Sequence, residues 1–435
     1  MELTRRALLA LMGAGGAGAL AGCAGQLPEP DVTAAGFGEE ASGVVRVWTR
    51  GATVEGMSGV VDAFHASQDR IRVELTPVLD GQYVTKLATA IRGREVPDLV
   101  DIDDINAMLF IYRDVFTDLT PLVEQLEFRD QLSPAHLGLA TVDDRVYGVP
   151  FLADVSMLWG NAELLDRAGV DIAGLDSLEA AVEAAAAVSA LGADVHGWST
   201  AGNNPGILGF TVQPHTWATG ARILEGDVGS QIGDLVGNEG LRGTLEAFRS
   251  MWEAGSMPPG NFSDTGAAWG ADFRAGSVGL LPCNYISGVL EGDEAHRERT
   301  TVRLLPGPGG GSAFFAGGDN LCMPRGARNP SAAWELVRFA LGVEQQEGLP
   351  DLGFIPIRGD AATDRYREEH PLAVLPLEQI TQGYAPRTLS YNLLFNQSDS
   401  PYMAMFREAV FGRGVEPAVE AAQAEFDRIL EQAQR

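Results

Sequence analysis

Between residues 44 and 100 the chain alternates β-rich runs with amphipathic helices, and this alternation restricts the folds open to it. Val44-Val45-Arg46-Val47-Trp48 is a short run of β-branched and aromatic residues. Val60, Val61 and Phe64 follow at helical spacing within 59–67, and Ile71-Arg72-Val73-Glu74-Leu75 alternates as a half-buried strand. Val84, Leu87, Ala88 and Ile91 place a second helix over 83–92, before Pro97-Asp98-Leu99-Val100 opens a third strand. Such a rhythm belongs to a parallel sheet with crossover helices, so the fold class is α/β. Further helices are expected over 178–191, 240–254 and 410–430. Folds of this kind bind ligands in loops at the carboxyl ends of their strands.

The first 23 residues set the compartment. Arg5-Arg6 precedes an apolar run, Ala7 to Met12, which fades through small residues to Leu20-Ala21-Gly22-Cys23. A charged start, a short apolar middle and a small-residue cleavage site make an export signal over 1–22. A spanning helix needs about 20 strongly apolar residues, and the glycines at 13, 15, 16, 18 and 22 dilute this shorter run. Leu20-Ala21-Gly22-Cys23 resembles a bacterial lipobox, which implies acylation at Cys23 and anchoring to the outer face of a membrane. Thr4-Arg5-Arg6 suits either the twin-arginine or the Sec route. Residues 23–43, with Pro28, Pro30 and no apolar period, read as the lipidated cysteine and a flexible tether.

With 59 acidic against 31 basic residues the formal charge is −28, which argues against nucleic acid as a partner and weakly against anionic ligands. At about 100–200 residues per domain, 435 residues suggest two or three domains. Apart from Cys23, only Cys283 and Cys322 are present, so one disulfide or two free thiols are both compatible with export. No CxxC or Cys/His cluster suggests a metal, and no cofactor motif is found.

Several short segments resemble the extracellular solute-binding proteins of bacterial ABC sugar importers, the group typified by maltose-binding protein. They are Trp48 after the first strand, Tyr83-Val84-Thr85-Lys86-Leu87, Val96-Pro97-Asp98-Leu99, Asp144 to Pro150 and Leu158 to Leu164. Phe273 to Leu280, Gly317-Gly318, Trp334 to Phe339 and Gly353-Phe354-Ile355-Pro356 continue the likeness in the family's order. Gly160 stands where the family usually has Tyr, and Asp319 where many members have Trp. The resemblance implies a two-lobed, periplasmic-binding-protein-like α/β fold with a ligand cleft and hinge crossovers. One lobe is expected at 44–152 plus 284–328 and the other at 153–283 plus 329–435, with Val278 to Cys283 as a returning crossover strand.

A sugar offers an apolar face for aromatic stacking and hydroxyls that need Asp, Asn, Glu or Arg. On that basis the loops after strands supply Trp48 and Arg50, and Asp103 from the run Asp101-Ile102-Asp103-Asp104-Ile105-Asn106. Asp154, Asn203 and Trp217 are candidates on the facing lobe, and Trp269, Asn284 and Tyr285 surround the expected crossover. Gly318 and Asp319 form a strand end where glycine admits close backbone approach, and Arg358 and Tyr384 complete the set. Asp319 in place of Trp hints at a more polar or basic ligand. The acidic run lacks the glycine and bidentate Glu of a calcium loop, and the glycines at 307 and 309–311 lack the Lys-Ser/Thr of a phosphate cradle.

No nucleophile elbow or zinc-protease helix occurs, and no catalytic carboxylate pair is recognisable. The reading is therefore a non-enzymatic, monomeric receptor that hands a mono- or oligosaccharide to an ABC permease by hinge closure. A polyamine or other cationic-solute receptor is the alternative, followed by an extracellular carbohydrate-active enzyme.

Overall fold

The computed structural model describes residues 27–267 and 269–434, so the export segment and Cys23 lie outside the described residues. In chain order the elements that build the site are β1 (Gly43–Arg50), α1 (Val54–Ser67), β2 (Ile71–Val78), α2 (Asp80–Gly93), β3 (Leu99–Asp103) and α3 (Asp104–Ile111). Then come β4 (Val149–Val155), β5 (Met157–Asn161), α4 (Leu178–Ser189), β6 (His196–Trp198), α5 (Pro205–Trp217) and α6 (Glu239–Glu253). The chain ends through β7 (Val278–Cys283), β8 (Thr300–Arg303), β9 (Ala316–Cys322), α7 (Pro330–Ala340), α8 (Pro401–Phe411) and α9 (Val415–Ala433).

Two sheets result. The first has the order β2-β1-β3-β9-β4, with β1 parallel to β2 and β3, and β9 antiparallel to both β3 and β4. The second has the order β8-β5-β7-β6. Val45 and Val47 of β1 and Leu99 and Ile102 of β3 are fully buried, as strands covered on both faces require. α1 packs its Phe64 edge-on against Phe339, next to the end of α7, with ring centroids 5.1 Å apart. The second sheet carries its own core, in which Trp198, Phe248 and Phe406 are fully buried.

The sequence pattern placed β1, β2 and β3 well, with observed elements extending a few residues beyond the periodic cores. The helix expected over 410–430 is instead two helices, because Gly412 and Gly414 interrupt it and Gly414 takes a φ of 121°, closed to most side chains.

Lobe membership differs from expectation in three places. β8, assigned to the first lobe, pairs with β5 in the second sheet. β7 is not a crossover but an interior strand of that sheet, paired to β5 and β6. Residues 330–382, assigned to the second lobe, pack on the first: α7 lies against α1, and Ile355 exchanges backbone bonds of 2.8 and 2.9 Å with Ala153 of β4. Nor is 27–42 a loose tether. Val32 is buried, Gly326 N–H donates to Pro28 O at 2.8 Å, and Glu29 pairs with Arg325 at 3.0 Å.

The lobes are joined by three extended segments lying side by side. Ser156, between β4 and β5, donates its N–H to Phe315 O at 3.3 Å and accepts the Phe315 N–H on Oγ at 2.9 Å. Ala316 donates to Tyr384 O at 2.9 Å, and Tyr384 donates to Phe314 O at 3.3 Å. The chain therefore crosses near 156, 315 and 384, and the strips are hydrogen-bonded into one narrow hinge.

Cys283 and Cys322 are both buried and free, on β7 of the second sheet and β9 of the first, so the open disulfide is not made. We expect the chain from Ala24 onward to titrate two thiols in denaturant without reductant, with a melting temperature indifferent to dithiothreitol. An intact-mass deficit of two hydrogens would show a disulfide instead.

Candidate functional site

A cavity of about 530 Å³ opens where the two lobes face each other beside the hinge. The first lobe lines it with Arg50, Asp80, Asp103, Asp104, Asn106, Asp154, Gly317 and Gly318; the second contributes Gly206, Phe210, Tyr391, Asn392 and Asn396, and Phe315 comes from the hinge. One wall is acidic and the other aromatic and amidic.

The acidic wall follows from strand ends. Arg50 closes β1, Asp103 closes β3, and β9 runs antiparallel to β3 so that Asp319 stands opposite Asp103. Arg50 donates Nε and Nη2 to the two Asp319 oxygens at 2.8 and 2.6 Å, a bidentate fork, and Asp319 is fully buried. Its Nη1 lies 3.2 Å from Asp80 and 3.5 Å from Asp103. Burial opposes the Arg50 charge, but Asp319 and Asp103 outweigh it and hold the guanidinium protonated even more firmly than usual. Asp103 also caps α3, accepting the Asn106 N–H at 3.1 Å.

Burial, reinforced by Asp319, pushes the Asp101 and Asp104 carboxyls well above the usual range. Asp101 accepts the Thr49 and Thr53 hydroxyls at 2.5 and 2.7 Å, and Asp104 accepts the Asn320 amide at 2.5 Å. Asp154, on β4, is pushed up to about 6 by burial, partly offset by a long 3.5 Å bond from Asn284. His136, held near 4 by burial, donates Nε2–H to Gly317 O at 2.9 Å and so fixes the cleft floor in the neutral form. At Gly318 an added Cβ would stand 2.2 Å from Leu152 O, so glycine is required by strand packing there.

The opposite wall is a ladder of rings. Phe210 of α5 meets Phe315 at 5.4 Å between centroids, Phe315 meets Trp217 at 5.5 Å, and Trp217 stands edge-on to Tyr384 at 4.8 Å. Tyr391 faces Phe315 at 6.4 Å. Asn392 and Asn396 begin and end a π-helical turn, a wide-wound form that recurs at functional sites.

Of the residues singled out in the sequence, Arg50, Asp103, Asp154 and Gly318 line the cleft, Asp319 anchors Arg50 beneath it, and Asn284 holds Asp154. The others stand elsewhere. Trp48 shares a face of β1 with Arg50, two residues on, but lies under Lys86, 4.5 Å from the ring centre, in a separate surface hollow against α2. Trp217 and Tyr384 form the back of the ring ladder, with Arg222 stacked on Tyr384 at 4.2 Å. Tyr285 is packed on Trp159 in the core, and its hydroxyl is pushed up to about 12 by burial. Arg358 is buried in the first lobe, forked onto Asp360 and stacked on Phe128 at 4.0 Å. Asn203 sits in a loop bonded to Asp264 O at 2.8 Å, and Trp269 packs against the first core; neither lines the cavity.

Sequence reasoning missed Asp80, Phe210, Phe315, Tyr391, Asn392 and Asn396. The i, i+4 pair of amides in Tyr391-Asn392-Leu393-Leu394-Phe395-Asn396 was a signal of a polar face. Phe210 and Phe315 lie in apolar surroundings and carry none.

Two lobes on a bonded three-strand hinge thus enclose a cavity with a polar wall facing an aromatic one. A family model for the bacterial extracellular solute-binding protein matches residues 59–372, and the chain belongs to that family. A Brucella abortus protein described as a binding protein is 24% identical over 389 residues, covering 85% of this chain and 89% of its own. The arabinooligosaccharide-binding protein of Bacillus subtilis is 23% identical over 292 residues, 64% of each chain. The structure of the sugar-binding protein MalE from Xanthomonas citri superposes with a TM-score of 0.79 at 20% identity, covering 90% of this chain and 98% of that one, and so shares the fold.

The raised Asp154 carboxyl fixes the sign of a pH effect. In the unfolded chain this proton leaves near pH 4, whereas the folded protein keeps it to about 6, so stability declines as pH rises between the two. Asp154→Asn, which is neutral throughout, should match the parent near pH 4 and exceed it by up to about 3 kcal/mol at pH 7.5 in urea unfolding. Equal stability of the two at both pH values would contradict the assignment.

Proposed function

We propose that this protein is an exported receptor that captures a mono- or oligosaccharide between its lobes and delivers it to an ABC permease. The observation that carries the reading is the pairing of walls across one cavity: Phe210, Phe315 and Tyr391 on one side, carboxyls and Asn106 on the other. Aromatic faces suit the apolar face of a sugar ring, and each such contact adds roughly 1 kcal/mol beyond area. Carboxyl and amide groups suit its hydroxyls.

The mechanism is closure at the crossings near 156, 315 and 384. A ligand touching both lobes binds the closed form better than the open one and shifts the population toward it. The closed pair of lobes then presents the permease with a surface the open form lacks. Acyl chains on Cys23 would keep the receptor at the membrane, where it acts as a monomer.

A thermal-shift panel of pentoses, hexoses and their oligosaccharides on the chain from Ala24 onward tests the ligand class. Millimolar sugar over a micromolar site stabilises by about 4 kcal/mol, and the sugar should be recovered uncleaved. Tyr391→Ala should weaken the best ligand by about tenfold and, because Tyr391 is buried against Phe315 and Phe395, should also lower the unliganded melting temperature. No response to any carbohydrate, or conversion of the sugar to product, would refute the proposal. For the anchor, Cys23→Ser should move the expressed protein from the membrane fraction to the soluble one; unchanged partitioning would refute acylation at this site.

A further inference from the structure

The charge of the cleft is unlike that of a site built for a neutral ligand. Among the described residues lining the cavity Arg50 is the only cation, and its Nε and Nη2 are both taken by buried Asp319. The same cavity is lined by four aspartates, Asp80, Asp103, Asp104 and Asp154. Two of them carry a buried oxygen without a hydrogen-bond partner: Oδ2 of Asp104, a residue 1% exposed, and Oδ1 of Asp154. The other oxygen of Asp104 accepts the Asn320 amide at 2.5 Å and that of Asp154 a long bond of 3.5 Å from the Asn284 amide, so each carboxyl has one oxygen to spare. Buried polar atoms are nearly always paired, and an orphan in a binding cavity marks the place of a missing donor.

We propose that the natural ligand is a sugar bearing a protonated amine, with its ammonium directed at the carboxyls of Asp104 and Asp154 and its ring against Phe210 and Tyr391. The inference rests on the carbohydrate reading above and narrows it. An ammonium brings three donors and no acceptor, whereas a hydroxyl brings one donor and lone pairs that carboxylates repel. Aromatic faces across the cavity attract a cation as well as an apolar ring face.

Proton traffic follows from the same geometry. Burial keeps the Asp154 carboxyl protonated up to about 6, with Arg50, Asp103 and Asp319 facing it from β1, β3 and β9 and Asn284 bonded to it from the segment after β7. An arriving ammonium favours the ionised carboxylate, so the proton leaves for solvent and affinity rises with pH. Between pH 5 and 7 the ionised fraction of a group titrating near 6 grows about tenfold.

Isothermal titration of the chain from Ala24 onward is the test, with glucosamine and its β-1,4 dimer, their N-acetylated forms, glucose, cellobiose and spermidine as probes. We expect at least one aminated sugar to bind about tenfold or more tightly than its N-acetylated and neutral counterparts, and about tenfold more tightly at pH 7 than at pH 5. Asp104→Asn and Asp154→Asn should each erase that preference; the wild-type panel and pH profile stand on their own if either variant fails to fold. Neutral sugars binding as well as aminated ones would overturn this inference and leave the carbohydrate reading intact. Spermidine binding without any sugar would overturn both, and a panel in which no aminated sugar binds overturns the inference.

Discussion

The fork between Arg50 and Asp319 is the contact on which the cleft depends. Arg50 ends β1, and Asp319 lies just past the hinge crossing on β9, so two bonds of 2.8 and 2.6 Å tie the returning strand to the sheet's first strand. Asp319 is fully buried and would be an uncompensated charge without its partner, a loss that in comparable buried pairs costs about 3–5 kcal/mol. The fork also leaves Nη1 of Arg50 at the cavity wall, near Asp80 and Asp103. A single side chain therefore closes the sheet and sets the charge of the site.

Around that fork the protein concentrates carboxyls that a stable core would avoid. Asp101, Asp104 and Asp154 are all held above their ordinary proton affinity by burial, and each leaves an oxygen unpaired. Such groups weaken the fold at neutral pH and are retained at sites that bind or react. The aromatic side is built the opposite way, as a continuous stack from Phe210 through Phe315 to Trp217 and Tyr384, which makes that wall rigid. Because Phe315 and Tyr384 are themselves hinge residues, movement of the lobes and shape of the aromatic wall are mechanically linked.

Local signals carried much of this in the sequence, and long-range ones did not. Period-2 and period-3.6 patterns located β1, α1, β2, α2 and β3, since those depend on which face a residue presents to its own core. The strand-end rule then led to Arg50 and Asp103, and the glycine pair at 317–318 led to β9. Lobe assignment failed for β8 and for 330–382, because which sheet a segment joins is decided by contacts hundreds of residues away, such as Ile355 with Ala153. Aromatic residues were misjudged for the same reason. Trp48 looked like a stacking platform but lies under Lys86 in a hollow beside α2, while Phe210, in an apolar stretch that carried no signal, reaches the cavity. Residue type alone does not say whether a ring faces a ligand or a neighbour.

Hydrogen–deuterium exchange with and without a bound ligand would test most directly whether the cavity between the lobes is where the protein works. The account expects protection at once in both lobes, over 80–84 and 103–106 on one side and 206–210 and 391–396 on the other, together with the hinge near 156, 315 and 384. Protection confined to one lobe, or centred on the hollow beside Trp48 and Lys86, would contradict it.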